Sequence, residues 1–325
     1  GDRETDQTIP AVSINWTPSD NHLLYASYTE GFKSGGFNAI DSQLPAYTGG
    51  PACPLDNLPG CIQRNTPGPG FEYDDESAWS FEVGGKHTFL NGRMRVNWAY
   101  YNSEYDDQQV STFVGLGFVV TNAASTEISG FELDSAFQVT EKLRLNLSVG
   151  TVDGEYKDFK GAACTPLQTA DIGFANLVTP GGLTPNSPNL TSADGLCTQL
   201  FDASGRQGPI AQNLSGRAIG AAEWSGSFGA QYTQPVGSMI WFTELDVQFT
   251  DDFLFTGDLD RARIQDGFEL VNLRTGLRGE NWMLMLYGRN ITDENYSYGG
   301  AVVPLAQGSF FRYRSRGEVW GIQAA

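Results

Sequence analysis

A regular alternation of apolar and polar side chains between residues 75 and 113 constrains the fold more than any other feature of this sequence. Before Asn91-Gly92, every second residue is apolar or aromatic, as at Trp79, Phe81, Val83 and Phe89. After it, one set comprises Met94, Val96, Trp98 and Tyr100, and the other Arg93, Arg95, Asn97 and Tyr101. Asn-Gly suits a type I′ turn, whose two central residues need positive φ. The stretch therefore predicts an antiparallel hairpin with one apolar and one polar face.

The same period of two recurs along the chain and predicts about eleven strands. Five connections between them are short, at Pro18, Asn91, Thr140, Pro235 and Gly279. The longer connections alternate with these and lie near residues 33–74, 114–117, 158–213, 255–265 and 296–309. Short turns at one end and long loops at the other are typical of an antiparallel transmembrane β-barrel of the outer membrane. In a soluble sandwich, turn lengths need not sort by side.

The polar face carries charged side chains on strand after strand. We expect eleven of them to share that face: Glu82, Lys86, Arg93, Arg95, Glu132, Asp134, Arg144, Glu244, Asp246, Arg274 and Arg278. In a dry core each would cost roughly several kcal/mol, whereas a wet lumen imposes little penalty. The alternative is a soluble sheet with this face in water and its aromatic face in a core. Interfacial girdles would explain the aromatics near the strand ends, such as Trp16, Phe89, Tyr232 and Trp282 at the short-turn end and Trp79 and Trp224 towards the other.

Composition narrows the class of protein and its surroundings. The 325-residue chain has a formal net charge of −18, so we expect no nucleic-acid partner. It starts at Gly1 without an initiator Met or a signal peptide, and we interpret it as a fragment whose beginning is missing. The four cysteines allow three pairings, and the local one joins Cys53 to Cys61 and Cys164 to Cys197. Disulfides would suit an oxidising compartment, with a zinc site as the alternative.

Five segments, in order, resemble the C-terminal half of TonB-dependent outer-membrane receptors. They are LLYASYTEGFKSGGFN (23–38), FVVTNAASTEISGFELDSAF (118–137), AAEWSGSFGAQY (221–232), VNLRTGLR (271–278) and LYGRNITDENY (286–296). The resemblance implies that residues 1–325 form about the last eleven strands of a 22-stranded barrel in a Gram-negative outer membrane, with long extracellular loops near 33–74 and 158–213. The plug domain and TonB box of the family are absent. Members tend to end in Phe, so we expect a few residues to be missing after Ala325.

The function implied by this resemblance is uptake of a scarce solute by an energised receptor. The first expected ligand is a ferric siderophore, followed by cobalamin or an oligosaccharide. Expected partners are the TonB inner-membrane complex, reached through the missing plug, together with membrane lipid and lipopolysaccharide. The alternatives are a passive porin-like barrel and a soluble secreted β-sandwich binding protein such as a lectin. The sequence itself leaves the ligand open.

No catalytic constellation is present in the sequence, and we expect neither enzymatic activity nor a cofactor. His22 and His87 lie on different predicted strands, and no Gly-x-Ser-x-Gly elbow occurs. Asp251-Asp252 and Asp258-Leu259-Asp260 could bind Ca²⁺, but carboxylates in such loops are usually solvated, so we expect no resident metal. Tyr and Phe offer large contact area at low entropy cost. The predicted ligand-binding residues are Tyr47, Phe71, Tyr73, Phe113 and Phe118 at the outer strand ends and Tyr101 and Tyr105 facing the lumen.

Overall fold

Eleven strands form one antiparallel sheet in the computed structural model, which describes residues 3–38, 47–48, 62–63, 72–114, 117–165, 168, 197–201, 207–303 and 309–325. In chain order they are β1 Ala11–Ser19, β2 His22–Lys33, β3 Glu76–Phe89, β4 Met94–Val114, β5 Gly117–Gln138, β6 Leu143–Asp158, β7 Trp224–Val236, β8 Met239–Thr250, β9 Phe268–Arg278, β10 Met283–Arg289 and β11 Val319–Ala324. Each strand pairs with the next, and a two-residue strand, Arg217–Ala218, also pairs with β6. Among the described residues, β1 pairs only with β2 and β11 only with β10, so the sheet is open at both edges.

The connections sort by length, which confirms the predicted arrangement. Residues 20–21, 90–93, 139–142, 237–238 and 279–282 join strands at one end, which we call the short-turn end. The connections at the opposite end, the long-loop end, are longer except for 115–116, where β4 and β5 have 21 and 22 residues and extend past their neighbours. Two turn predictions were imprecise. Pro18 lies inside β1, and the hairpin after Phe89 has four residues because Leu90, Asn91 and Gly92 all have positive φ.

Strand register places the apolar set of each strand on one common face. Trp98 pairs with Leu133 and Leu133 with Val149, and equivalent rows continue through to β11. Several of these side chains are open: Ile14 is 69% exposed and Leu284 is 49% exposed. A second packed layer would bury them, so this face is the one that lipid would cover. The prediction that the apolar side chains share one face, not sealed by a second layer, is confirmed.

Ten of the eleven charged side chains predicted for the opposite, polar face lie on it, and one does not. Register pairs Glu244 with Arg274, and Glu132 and Asp134 lie at the same alternate positions of β5. Arg93 was wrongly assigned to this face. It lies in the turn before β4, where its guanidinium donates hydrogen bonds to the carbonyl oxygens of Gln138 and Val139. Arg93 therefore completes the end of β5.

Small elements and the buried apolar cluster both lie at the long-loop end. The short strands there are Gly36–Phe37, Tyr47–Thr48, Ile62–Gln63, Glu72–Tyr73, Ala162–Ala163, Cys197–Phe201, Gln207–Gln212, Phe253–Leu254, Ile264–Gln265, Ser297–Val302 and Phe310–Arg314, with a 3₁₀ turn at Arg261–Arg263. The cluster of buried apolar residues comprises Ala124, Phe159, Ala162, Leu214 and Leu259. Within the described part of the chain, no helix has the length and apolar character needed to cross a membrane.

Candidate ligand-binding site

Two of the grooves on the polar face, within the described residues, are each lined by six strands. The first has a volume of about 460 Å³ and is lined by residues of β6 to β11, including Asp246, Arg289 and Tyr287. The second has a volume of about 420 Å³ and is lined by Lys86, Asp134 and other residues of β2 to β7. Both grooves are rich in charged and amide side chains, so their surfaces suit water, a polar ligand or a polar protein segment rather than lipid.

Cross-strand contacts balance much of the charge on this face. Arg274 of β9 forms an ion pair with Glu244 of β8, and Asn272 Nδ2 donates to Asp246 Oδ1 at 3.2 Å. The Tyr25 hydroxyl donates to Glu82 Oε1 at 2.5 Å. These ion pairs and hydrogen bonds hold the polar side chains in fixed positions on this face. Among the residues that the structure describes, no group of three His, Cys, Asp or Glu side chains could hold a metal ion.

The predicted aromatic ligand-binding residues divide into three groups. Tyr101 and Tyr105 are half-buried on the polar face of β4, four residues apart along the strand. Tyr73 pairs with Gly36, and its ring lies so close that a Cβ on Gly36 would come within 2.6 Å of the hydroxyl. The side chains of Tyr47, Phe113 and Phe118 lie outside the described parts of their strands, as does the whole of Phe71. Their role as ligand contacts stays a prediction.

An ionic clamp fixes the segment before β1 to the connection before β3. Arg3 Nη1 lies 2.7 Å from Glu72 Oε1, and Arg3 Nη2 lies 3.1 Å from Asp75 Oδ1. The backbone N–H of Gly35 donates to the same Asp75 oxygen at 2.7 Å. This hydrogen bond, with support from the Arg3 guanidinium, lowers the pKa of the Asp75 carboxyl below its ordinary value. The clamp thus ties together three separate chain segments at the long-loop end.

The loops at this end have their own apolar core and covalent link. Phe159, Ala162 and Leu214 belong to the β6–β7 connection, and Leu259 to the β8–β9 connection. Cys164 and Cys197 form a disulfide with their Cα atoms 5.9 Å apart, as the local pairing predicted. Cys53 and Cys61 lie outside the described residues. Among the described cysteines none is free, so neither Cys164 nor Cys197 is available to zinc.

A buried arginine holds the β8–β9 connection. The Arg263 side chain is 1% exposed, and it forms ion pairs with Asp258, which is 8% exposed, and Asp260, which is 6% exposed. The expectation that the carboxylates are solvated was wrong for Asp258 and Asp260, which face an arginine. Asp260 also caps the 3₁₀ turn, since its Oδ1 accepts from the Ala262 N–H at 2.9 Å. The spacing Asp258, Asp260 and Arg263 was a local signal that sequence reasoning did not use.

A second feature that the sequence pattern did not predict is a hairpin inside the β10–β11 connection. Strands Ser297–Val302 and Phe310–Arg314 pair there, in a stretch predicted as a loop. Its exposed rings include Tyr298 and Tyr313, which stack with centroids 5.8 Å apart. Alternating aromatic and arginine residues from Phe311 to Arg314 were the available signal, hidden by Gly299-Gly300 in the partner strand.

The two histidines, predicted to lie on different strands, are direct partners across β2 and β3. His22 Nδ1 and His87 Nδ1 are 3.0 Å apart, and Trp98 Nε1 donates to His87 Nε2 at 3.2 Å. Because an indole N–H can only donate, neutral His87 carries its proton on Nδ1 and donates it to His22. The chain Trp98–His87–His22 therefore satisfies polar atoms on the apolar face near the short-turn end, and no nucleophile or general base is assembled there.

Comparison with known proteins identifies the family to which this chain belongs. Residues 1–291, most of the chain, match the family model described as TonB dependent receptor-like, beta-barrel. Among solved structures, the ferric yersiniabactin uptake receptor FyuA from Yersinia pestis has a TM-score of 0.60 at 14% identity, covering 98% of this chain and 37% of that one.

Two further solved structures give similar values. The siderophore receptor PiuA from Acinetobacter baumannii has a TM-score of 0.58 at 15% identity, covering 97% of this chain and 35% of that one. The ferric citrate transporter FecA in its unliganded form has a TM-score of 0.56 at 14% identity, covering 97% and 37%. At these identities the likeness concerns the fold. The chain spans little more than a third of the length of each of these proteins.

Proposed function

The chain belongs to the TonB-dependent receptor β-barrel family of the Gram-negative outer membrane, and we propose that it forms part of a receptor that imports a ferric siderophore. Family membership makes it a transport protein rather than an enzyme. The observation that carries the proposal is the division of the sheet into an open apolar face and a charged face with two polar grooves. A wall with these two faces separates lipid from a wet interior.

The eleven strands supply one arc of that wall. We propose that they form the last half of a 22-stranded barrel, with the connections near 33–74 and 158–213 on the extracellular side. The open edges at β1 and β11 support this arrangement, because unpaired edges in lipid would leave backbone groups without partners. The polar grooves would then face the plug domain, through which the TonB complex acts, and the apolar face would contact lipid and lipopolysaccharide.

The loop layer supports binding of a bulky ligand. The ionic clamp at Arg3, the disulfide and the buried Arg263 hold the described loops in place before any ligand arrives. Loops ordered in advance lose less conformational entropy when they close on a ligand. FyuA and PiuA are receptors for siderophores, and this ligand class is therefore the first to test, with cobalamin and oligosaccharides next.

Uptake of radiolabelled iron by cells that carry the whole receptor tests this function. We expect saturable uptake of one ferric siderophore that disappears when the receptor gene is deleted, when TonB is deleted or when the proton gradient is collapsed. Uptake that persists without TonB would indicate a passive porin. Failure to take up any ferric chelate, combined with restored growth on cobalamin or an oligosaccharide, would replace the siderophore with that ligand.

A further inference from the structure

The hairpin of Ser297–Val302 and Phe310–Arg314, which we call the aromatic hairpin, has two unlike faces. Tyr313 pairs with Gly299 and Phe311 with Ala301, so the two rings lie on one face above residues with little or no side chain. A register shift between Ser297 and Gly299 brings Tyr298 to the same face. One face of the hairpin is therefore made of three aromatic rings.

These rings are open to solvent although they touch one another. Tyr298 is 66% exposed, Tyr313 is 50% exposed and Phe311 is 40% exposed. Tyr298 and Tyr313 stack with an interplanar angle of 16°, and Phe311 meets Tyr313 edge to face with centroids 5.1 Å apart. The stacked pair of Tyr298 and Tyr313 therefore leaves aromatic surface exposed, which is available to another aromatic group.

The opposite face anchors the hairpin to the β8–β9 connection. Arg312 lies over the Phe255 ring, 5.7 Å from its centroid, and donates a hydrogen bond of 2.5 Å to the Ala262 carbonyl. The Ser297 N–H donates to Gln265 Oε1 at 2.8 Å, and Gln265 is buried. The aromatic surface is therefore held in position before a ligand binds, which lowers the entropy lost on binding.

Charge distinguishes this hairpin from the rest of the protein. Residues 295–317 contain three arginines and no carboxylate, in a chain with a formal net charge of −18. Arg314 and Arg316 are exposed, and no carboxylate among the described residues lies within ion-pair distance of either. By contrast, Arg3 and Arg263 are each paired with more than one carboxylate. Asp293, Glu294 and Glu318 flank this segment, but they form no ion pair with Arg314 or Arg316, whose guanidiniums can therefore bind an anion.

We propose that the aromatic hairpin is a docking surface for an anionic aromatic ferric chelate, of the tris-catecholate type. This proposal rests on the proposed function in iron uptake and names the chemical class of its ligand. Three doubly deprotonated catechols around Fe³⁺ give a complex of charge −3 with benzene rings on its outer surface. Three hydroxamates give a neutral complex without rings. Stacked tyrosines beside unpaired guanidiniums complement the first complex and offer little to the second.

Equilibrium titration of the whole purified receptor in detergent micelles tests the proposal. The two probes are Fe³⁺ bound by a synthetic tripodal tris-catechol and Fe³⁺ bound by a linear trihydroxamate, each followed by quenching of intrinsic fluorescence. We expect the catecholate complex to bind at least about tenfold more tightly, because a ring contact and a charge contact are each worth on the order of a tenfold change. Its affinity should also fall as salt rises, since exposed charges are screened.

Matched variants separate rings from charge. Tyr298→Ala combined with Tyr313→Ala should weaken catecholate binding about tenfold, whereas Tyr313→Phe keeps the ring and should retain the affinity. Arg314→Gln combined with Arg316→Gln should weaken binding and flatten its salt dependence. Lys33→Gln removes an exposed charge at the same end of the sheet and should leave binding unchanged. All these side chains are exposed, and the heat-dependent gel mobility of the barrel checks that each variant is assembled.

The outcomes decide separately between the two proposals. Equal binding of the two chelates, or equal effects of Lys33→Gln and the double arginine variant, would overturn the hairpin assignment. Binding of the hydroxamate alone would also overturn it while leaving iron uptake in place. If neither chelate binds and the cells take up no ferric siderophore, both proposals are wrong.

Discussion

Replacement of Arg263 by Met tests whether one buried cation holds the loop between β8 and β9. The methionine matches the arginine stem in length but removes the guanidinium, which contacts Asp258 and Asp260. Both carboxylates are more than nine-tenths buried and would lose the cation that they face. Breaking a buried ion pair from one side costs about 3–5 kcal/mol, because the remaining charge stays desolvated.

Amide hydrogen exchange in the whole receptor measures this cost locally. We expect amides of residues 251–267 to exchange faster in Arg263→Met by at least about 100-fold, since 1.4 kcal/mol corresponds to a factor of ten. Amides of β8 and β9 below the loop should keep their protection, because cross-strand pairs and not Arg263 hold them. Replacing Asp258 and Asp260 by Asn in the same variant should restore part of the protection by removing the stranded charges.

Arg261 provides the matched control. It lies in the same 3₁₀ turn but is exposed, so Arg261→Met removes the same group with only a small effect on exchange, under about 1 kcal/mol. Equal acceleration of exchange in Arg261→Met and Arg263→Met would contradict the reasoning, because it would mean that net charge and not the buried contact stabilises the loop. An unchanged exchange rate in Arg263→Met would contradict it as well.

Three further predictions concern the membrane face, the disulfide and the clamp. Leu147→Arg puts a charge on the apolar face, which costs about 2–4 kcal/mol near mid-bilayer and should reduce assembly of the barrel. Asn146→Arg, one residue away on the polar face, should assemble normally. A heat-modifiability gel measures assembly of both variants. Replacing Cys164 and Cys197 by Ser opens a link across 33 residues and should speed proteolysis of the β6–β7 connection, by up to about 4 kcal/mol of lost local stability. Folding lowers the pKa of Asp75, so the contribution of its carboxylate to stability is complete above about pH 4 and is lost as the pH falls below that value. Proteolysis before β3 should therefore increase below about pH 4. In Asp75→Asn the same increase should be present already at about pH 7.

The sheet could be predicted because two solvents act on it. Lipid on one side and water on the other force the side chains into a period of two, so even a slip of one residue would put charges such as Glu132 into lipid. The pattern therefore predicted strand number, register parity and the sorting of turns. The pattern assigned Arg93 wrongly because Arg93 belongs to the turn and not to β4. Its guanidinium therefore does not alternate with the strand and donates hydrogen bonds to the carbonyl oxygens of Gln138 and Val139.

The loop layer could not be predicted in the same way, since its contacts join distant parts of the chain. Ala124, Phe159 and Leu259 form one cluster although they come from three different segments, and none has a periodic apolar neighbour. The pairing of His22 with His87 likewise depends on register across 65 residues. The disulfide was predictable only because cysteines are few.

These long-range contacts decide how the long-loop end would respond to a bound ligand. Gln212, from the β6–β7 connection, donates to the carbonyl of Asp258 in the β8–β9 connection at 2.8 Å. That same connection accepts Arg312 of the aromatic hairpin through the Ala262 carbonyl. Three successive connections are therefore joined through the loop that Arg263 holds. Packed groups shift together, because moving one alone would break its buried contacts. A ligand that stacks on the hairpin, as proposed above, would consequently act first on the β8–β9 loop, which Arg263 holds, and through it on the disulfide-linked loop.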